Sequence, residues 1–120
     1  MRVAVTATGT TLSSEVDPRF GRAGSFLVID TETRDVEVLD NTAGVEAMSG
    51  AGVQAAQRVV QSGAEVLITG HCGPNAFRTL SAAGVKVLSG ASGTVEEALA
   101  KLESGDLEEA DSADVTGHWK

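Results

Sequence analysis

The chain is poor in cysteine and aromatic residues and has no long apolar run. Its one Cys excludes an internal disulfide and a cysteine-rich zinc site. Its 17 acidic residues outnumber its 9 basic residues, and it has three Phe, one Trp and no Tyr, so it lacks the basic surface and stacking side chains of a nucleic-acid-binding protein. No run approaches the roughly 18 apolar residues of a membrane span, and the N-terminus lacks the features of a signal peptide. We therefore expect a cytoplasmic protein that binds neither nucleic acid nor membrane.

The length of 120 residues predicts one domain, large enough to bury a core without a disulfide or a structural metal. Charge is distributed unevenly along it. Residues 96–120 carry eight acidic and two basic side chains, whereas residues 1–95 carry nine acidic and seven basic ones. Helical periodicity is also lost near the C-terminus. We therefore expect an α/β domain over residues 1–104 and an acidic C-terminal tail over residues 105–120.

Short apolar runs predict five strands. Residues 3–7 and 26–29 are apolar on both faces, which is typical of buried central strands. Residues 36–39 alternate as a half-buried edge strand does, and a short polar link to the strand before them predicts a hairpin. Residues 66–69 and 85–88 predict the fourth and fifth strands.

Three amphipathic stripes predict helices between and after the later strands. They begin near Val53, Ala76 and Val95, and the last has apolar residues at the i, i+3, i+4 and i+7 positions. Thr94 and Glu97 form a capping box at its start. The resulting order is β-β-β-α-β-α-β-α. Strands that alternate with helices are parallel through right-handed crossovers, so we expect a mixed sheet with helices on both faces, a three-layer α/β sandwich.

Ligands of open α/β sheets lie beyond the carboxyl ends of the strands. The loops expected there are residues 8–22, 41–51, 70–75 and 89–93, all of them polar or rich in glycine. They combine backbone N–H groups, two guanidinium groups and a helix N-terminus, which suits an anion. The side chains that these loops offer are Arg19, Arg22, His71, Cys72 and Asn75.

The first of these loops is the longest, and long loops in compact domains are often functional. In one interpretation it is a tight turn at Asp17, with Phe20 packed as an anchor and the Asp17 carboxylate paired with an Arg for local order. In the other, Arg19 or Arg22 holds an anion.

Residues 50–55 match the dinucleotide-binding pattern G-x-G-x-x-A, but weakly. They follow a loop instead of a strand, and no acidic residue lies at the distance that ribose recognition requires. The main alternative is that Gly50 and Gly52 relieve crowding where a helix approaches the sheet. Anion binding at the helix N-terminus is compatible with either interpretation.

Residues 71–79 follow a predicted strand, open a helix and read H-C-x5-R-T. That pattern resembles the phosphate loop of Cys-dependent phosphatases, in which a thiolate attacks phosphorus and an Arg binds the oxygens. Asp17 would then be the general acid. Pro74 removes a backbone donor that such a loop needs, and Asn75 stands where that family has Gly. The alternatives are a buried Cys before a capped helix and a ligand-binding loop without covalent catalysis, and we favour the last.

Four features in order along residues 2–103 resemble the nitrogenase iron–molybdenum cofactor biosynthesis domain family. They are the strand at residues 2–5, DPRFGRA at residues 17–23, GAG at residues 50–52 and GPNAF at residues 73–77. The resemblance implies a ribonuclease H-like α/β fold with a five-stranded mixed sheet of order 3-2-1-4-5. The element order predicted from the residues agrees with it.

Within that family, the loop that begins at His71 and the Gly-His-Trp ending are most similar to the orange proteins. That branch implies a molybdenum–copper sulfide cluster, two thiomolybdate units bridged by copper, held as an anion without covalent protein ligands. A cluster that already contains its sulfide ligands needs positive charge and a cleft of matching shape from the protein more than it needs thiolates. Cys72, a soft ligand, is a candidate near copper. If the cargo is an iron–molybdenum cluster instead, His71 is the candidate ligand, since such carriers of the family can use a His.

The resemblance thus implies a carrier and not an enzyme, with Cys-dependent phosphatase activity as a minor alternative. We expect a monomer, with partners among ATPases linked to cell division or cluster assembly. Adjacent His and Cys side chains do not have a usual chelate spacing, so a closed zinc site is not expected. The residues proposed to bind the cluster are Arg19, Phe20, Gly21, Arg22, Gly50, Gly52, His71, Cys72, Gly73, Pro74 and Asn75.

Overall fold

The computed structural model describes residues 1–41, 51–105 and 107 of the chain. All five predicted strands and the three predicted helices are present, in the predicted order. Their boundaries differ from the predicted ones by one or two residues, as is usual for element ends. The elements are β1 (Arg2–Ala7), β2 (Ser25–Asp30), β3 (Val36–Asp40), α1 (Ala51–Gln61), β4 (Val66–Ile68), α2 (Pro74–Ala82), β5 (Lys86–Leu88) and α3 (Val95–Ser104).

The strands form one mixed sheet in the order β3-β2-β1-β4-β5. β2 runs antiparallel to both β1 and β3, with Val3 of β1 opposite Ile29 of β2. β4 runs parallel to β1 and to β5, with Val66 opposite Val3. The hairpin between β2 and β3 and the order 3-2-1-4-5 are therefore confirmed.

The helices cover both faces of the sheet and enclose two separate cores. Because successive side chains of a strand point to opposite faces, Ala4 lies in one core and Val5 in the other. The Ala4 core packs under α1 and α2, which contribute Ala55, Ala56, Val59, Ala76 and Leu80. The Val5 core packs under α3, which contributes Val95, Ala98 and Leu99. The three-layer α/β sandwich is confirmed.

The edge strand β3 is more exposed than the predicted half-buried strand. Val36 and Val38 are 39% and 44% exposed, and Leu39 alone of the five residues is partly buried. Val36 and Val38 pair with Ile29 and Leu27, whose side chains lie in the core under α3. The exposure of the two valines shows that α3 leaves this edge of its face uncovered.

The N-terminus of α3 is closed by its own side chains and by a loop. The Thr94 hydroxyl accepts a hydrogen bond from the Glu97 N–H at 3.1 Å, and the Glu97 carboxylate accepts one from the Thr94 N–H at 2.8 Å, so the predicted capping box is confirmed. The N–H groups of Val95 and Glu96 donate to carbonyls of residues 14 and 12, at 2.9 and 3.0 Å. The hydrogen bond from the Thr94 N–H lowers the pKa of Glu97 below its usual value.

At its other end α3 finishes at Ser104, and Gly105 takes a left-handed φ of 81°, a common helix C-terminus. Most of the predicted acidic tail, residues 105–120, lies outside the described residues, so its separation from the domain stays a prediction. Among the helices that the structure describes, none has the length and apolar character needed to cross a membrane.

Candidate functional site

A cleft of about 400 Å³ lies beyond the carboxyl ends of β1 and β4. Its size falls within the range of about 300–1,000 Å³ typical of small-ligand sites. Three segments meet there: the loop at residues 19–22, the first turn of α1, and the loop at residues 71–73 with the first turn of α2. The lining residues are Arg19, Phe20, Gly21, Arg22, Gly52, Val53, His71, Gly73, Pro74, Asn75 and Ala76.

The cleft brings together nine of the eleven residues proposed from the sequence. Gly50 lies outside the described residues. Cys72 is described, and it lies in the core under α1 and α2, only 1% exposed, instead of lining the cleft. The three segments are far apart along the chain, so the folded sheet edge is what unites them.

Two buried threonines fix the path of the long loop after β1. The Thr6 hydroxyl donates to the Asp17 carbonyl at 2.7 Å, and the Asp17 N–H donates to the Thr6 carbonyl at 2.9 Å. The Thr69 hydroxyl lies 3.0 Å from that of Thr6, and both side chains are fully buried. Sequence reasoning missed this pair. The available signal was a hydroxyl residue at the carboxyl end of each of two apolar strands.

Gly70 lets that loop lie directly against the segment after β4. A Cβ at this position would lie 2.5 Å from the Pro18 Cα and 2.7 Å from the Pro18 carbonyl oxygen, closer than side chains tolerate. The His71 N–H donates to the same carbonyl at 3.1 Å, and Arg19 and His71 pair as neighbours in a parallel bridge. Only a residue without a side chain permits this approach, which sets Arg19 beside His71 at the cleft.

Arg19 is held by the carboxylate of Asp17. The Arg19 Nε lies 3.3 Å from Asp17 Oδ1, and Nη2 lies 3.5 Å from Oδ2. The Asp17 side chain is 3% exposed and that of Arg19 is 61% exposed. The two interpretations of this loop are therefore compatible: the pairing gives local order, and the guanidinium still lines the cleft.

Phe20 and Asn41 anchor the rest of the loop. Phe20 is 2% exposed and packs on Phe26, with ring centroids 5.5 Å apart. The Asn41 amide donates to the carbonyls of Gly21 and Ala23 at 3.1 and 2.7 Å, and Asn41 is itself buried. Sequence reasoning did not single out Asn41, although an Asn directly after an edge strand was a usable signal. The backbone around Arg22 is thus tied to the end of β3.

The N-terminus of α2 opens into the cleft. Its N-cap residue is Gly73, which offers no side chain for capping, and Pro74 follows as the first helical residue. The first intrahelical bond runs from the Phe77 N–H to the Gly73 carbonyl at 3.0 Å. The preceding N–H groups, of Asn75 and Ala76, therefore point out of the helix end.

The first turn of α1 reaches the same place. A Cβ on Gly52 would lie 3.4 Å from the Ala76 Cβ, so α1 and α2 approach closely at their N-terminal ends. Helix N-termini carry partial positive charge. With Arg19 and Arg22, and with no acidic side chain among the lining residues that the structure describes, the cleft has the charge that suits an anion. Val53 and Pro74 add accessible apolar wall, with the nearly buried Phe20 and Ala76 beside them.

The geometry does not match that of a Cys-dependent phosphatase. Cys72 is buried, and Arg78 lies outside the cleft lining, where its Nη2 donates to the Asn75 side-chain oxygen. The thiol and the guanidinium of the H-C-x5-R pattern therefore do not face one anion. His71 is exposed in the cleft, but no three His, Cys, Asp or Glu side chains of the described residues are grouped to hold a metal ion.

A second depression, of about 500 Å³, lies between α1 and α2 away from the sheet edge. Among the described residues of its lining none is charged, so it lacks the features that suit the cleft to an anion. The lining residues are Gln57, Val60, Gln61, Thr79, Ala82 and Ala83.

Comparison with known proteins identifies relatives over nearly the whole chain. The family described as "Dinitrogenase iron-molybdenum cofactor" matches residues 1–105. The apo form of the orange protein from Desulfovibrio gigas is similar, with 45% identity, coverage of 93% of this chain and 94% of that one, and a TM-score of 0.91.

Two further relatives are similar over most of their length. An NMR structure of a provisional NifB protein from Thermotoga shows 46% identity, coverage of 90% and 91%, and a TM-score of 0.79. A protein from Methanocaldococcus jannaschii that has no assigned function is 26% identical over 99 residues, which are 80% of this chain and 83% of that protein.

Proposed function

The chain belongs to the dinitrogenase iron–molybdenum cofactor family, and we propose that it binds and carries an anionic metal–sulfur cluster in the cleft. One observation carries the proposal: Arg19 and Arg22 meet two helix N-termini in a cleft where none of the described lining residues is acidic. Family membership and the similarity to the orange protein support a cluster-binding or carrier role.

The particular cargo that we propose is a molybdenum–copper sulfide cluster, two thiomolybdate units bridged by copper. Such a cluster supplies its own sulfide ligands to the metals. It therefore needs cationic donors and apolar walls from the protein more than thiolates, and the cleft offers those features while Cys72 is buried beside it. The 45% identity to the orange protein is consistent with this choice.

In this binding mode the guanidinium groups of Arg19 and Arg22 donate charge-assisted hydrogen bonds to the outer sulfides. Each is expected to contribute about 1.5–3 kcal/mol to binding. The N–H groups of Asn75 and Ala76 face the same space from the helix end. Val53 and Pro74 offer accessible apolar surface for the polarizable sulfides.

An iron–molybdenum cluster is the alternative cargo, because His71 is exposed in the cleft and offers an imidazole ligand. The ATPase partners, the monomeric state, the cytoplasmic location and the absence of enzymatic activity stay predictions.

The first experiment is a titration of the apo-protein with tetrathiomolybdate and copper, followed by desalting, visible spectroscopy and metal analysis. We expect a retained charge-transfer band with about two molybdenum per copper, the ratio of two thiomolybdate units around one copper. A colourless, metal-free protein after desalting would refute the proposed cargo, and iron–molybdenum clusters would be tested next.

The double variant Arg19→Ala, Arg22→Ala tests the binding mode. We expect its affinity to fall by about a hundredfold or more, since two charge-assisted hydrogen bonds are lost. The matched control is Arg58→Ala, Lys101→Ala, which removes the same charge from the last turns of α1 and α3, outside the cleft. Equal affinities of the two double variants would show that net charge, and not the cleft, governs binding.

A further inference from the structure

We propose that Asp17 is a positioning residue for cargo binding, which acts by fixing the guanidinium of Arg19 in the cleft. This inference rests on the proposed function. Charge repulsion alone would make a carboxylate close to an anion site weaken anion binding. Here the carboxylate is expected to strengthen it, because orienting the cation outweighs the repulsion.

The first observation is the burial of the carboxylate. Among the residues that the structure describes, Asp17 is the one charged residue that is buried, with its side chain 3% exposed. Burying a carboxylate is costly unless it is paired. Its partner is the exposed Arg19, whose backbone N–H, Nε and Nη2 lie 3.0, 3.3 and 3.5 Å from the two carboxylate oxygens.

The second observation is that the turn itself does not require a carboxylate. The hydrogen bond from the Arg19 N–H to Asp17 Oδ1 is an Asx-type turn, and an Asn would accept it equally well. The contacts that need a second acceptor and a negative charge are those with the Arg19 side chain. The charge of Asp17 therefore acts on the guanidinium and not on the backbone.

The third observation is that Asp17 is mounted rigidly on the sheet. Its N–H and carbonyl are both bonded to Thr6 in β1, at 2.9 and 2.7 Å, and the following Pro18 is packed against Gly70. A long exposed side chain such as Arg19 otherwise loses much rotamer freedom when it binds a ligand. The pairing orders it in advance, which lowers the entropic cost of binding the anion.

Asp17→Asn tests the inference by the sign of its effect. The amide keeps Oδ1 for the Arg19 N–H, but it loses the charge and presents N–H donors to the donors of Arg19 Nη2. If Asp17 acted only through its charge, the variant would bind the anion more tightly than the wild type. We expect the affinity for tetrathiomolybdate with copper to fall instead by about tenfold, the scale of one charge-assisted hydrogen bond. Unchanged or tighter binding would overturn the inference.

A double-mutant cycle separates positioning from a general loss of structure. We expect Arg19→Ala to weaken binding by about tenfold in the wild type and by much less in the Asp17→Asn background, because the cation is no longer oriented there. Equal losses in both backgrounds would contradict the inference. Thr94→Ala is the stability control: it weakens the cap of α3, outside the cleft, and its cluster affinity should match the wild type.

A measurement without cargo distinguishes this inference from the proposed function. The Arg19 Nε–H should give a slowly exchanging signal in the NMR spectrum of the apo-protein, and Asp17→Asn should abolish it. If that signal behaves as expected but the wild type does not retain the cluster, the proposed function fails and so does the role of Asp17 in binding. If the wild type binds and Asp17→Asn binds as well, the inference alone fails.

Discussion

Two of the helices that begin at the carboxyl edge of the parallel strands, α2 and α3, have N-termini of opposite kinds. α3 is closed: Thr94 and Glu97 cap it, and carbonyls from the loop after β1 satisfy its next N–H groups. α2 is open: Gly73 supplies no capping side chain, Pro74 has no N–H, and the helix end lines the cleft. The same backbone chemistry thus serves structure at one helix and, in the proposed function, binds the cargo at the other.

One loop connects the two helix ends. Residues 12–16 are bound to the closed end of α3, and residues 17–22 continue to the open end of α2, where they place two arginines. The closed N-terminus of α3 holds the loop in place, and the loop places Arg19 and Arg22 beside the open N-terminus of α2. Changes at the two ends should therefore separate stability from binding.

The largest effect is expected where the loop after β1 packs against Gly70, in the segment between β4 and α2. In Gly70→Ala the new Cβ would overlap the Pro18 backbone, so the variant should lose about 1–3 kcal/mol of unfolding free energy, together with cluster binding. Gly24→Ala is the control, because its Cβ would make an ordinary contact of 3.5 Å with the Thr8 carbonyl. Urea denaturation of both variants and the cluster titration check this. Equal stability of the two variants would contradict the close approach.

A smaller effect is expected when the open helix end is closed. Gly73 has φ −71° and ψ 169°, which any residue adopts, so Gly73→Asp can cap α2 without strain. We expect stability to change by only a few tenths of a kcal/mol and affinity for tetrathiomolybdate with copper to fall about tenfold, since the carboxylate occupies the N–H groups and repels the anion.

The control is Gly73→Asn, which caps the helix without a charge. Its affinity should lie between those of the wild type and Gly73→Asp, and thermal unfolding should show all three proteins equally folded. Undiminished binding by both variants would mean that the end of α2 takes no part in holding the cargo.

The smallest effect concerns pH at the closed end. The hydrogen bond from the Thr94 N–H lowers the folded-state pKa of Glu97 below its usual value of 4.5. The stability that the charge of Glu97 contributes is therefore fully present above pH 4.5, and it is lost as the pH falls through the lower folded-state pKa. Glu97→Gln keeps an acceptor but removes the charge. The stability difference between wild type and variant should therefore be greatest near neutral pH and shrink below about pH 4.5 in chemical denaturation at several pH values. A constant difference would show that the charge of Glu97 does not contribute.

The strands and helices were predictable because their signals are local. Apolar runs located β1, β2 and β4, and the spacing of Val95, Ala98 and Leu99 located α3. The exposure of β3 was not predictable, because it depends on how far α3 extends across the sheet. Thr6 and Thr69 were missed for the same kind of reason: each interacts with residues distant in sequence.

The residue types at the site that suit an anion were recognisable from the sequence, but the arrangement of these residues in space was not. Arg19 and His71 are 52 positions apart, and they become neighbours because Gly70 admits Pro18. Cys72 lies between two residues of the cleft and yet is buried, since the chain turns into α2 at that point. A motif in the sequence does not reveal which of its side chains face the ligand.

The sequence by itself determined the element types, their order and the supply of cationic and glycine-rich loops, because periodicity, capping and turn chemistry act between residues close in the chain. Only the tertiary structure decided that the open end of α2 lines the cleft, that the loop after β1 completes the closure of α3, and that the buried carboxylate of Asp17 holds Arg19 in the cleft. Those outcomes depend on burial and on contacts between distant segments, which exist only after the sheet has brought the loops to one edge.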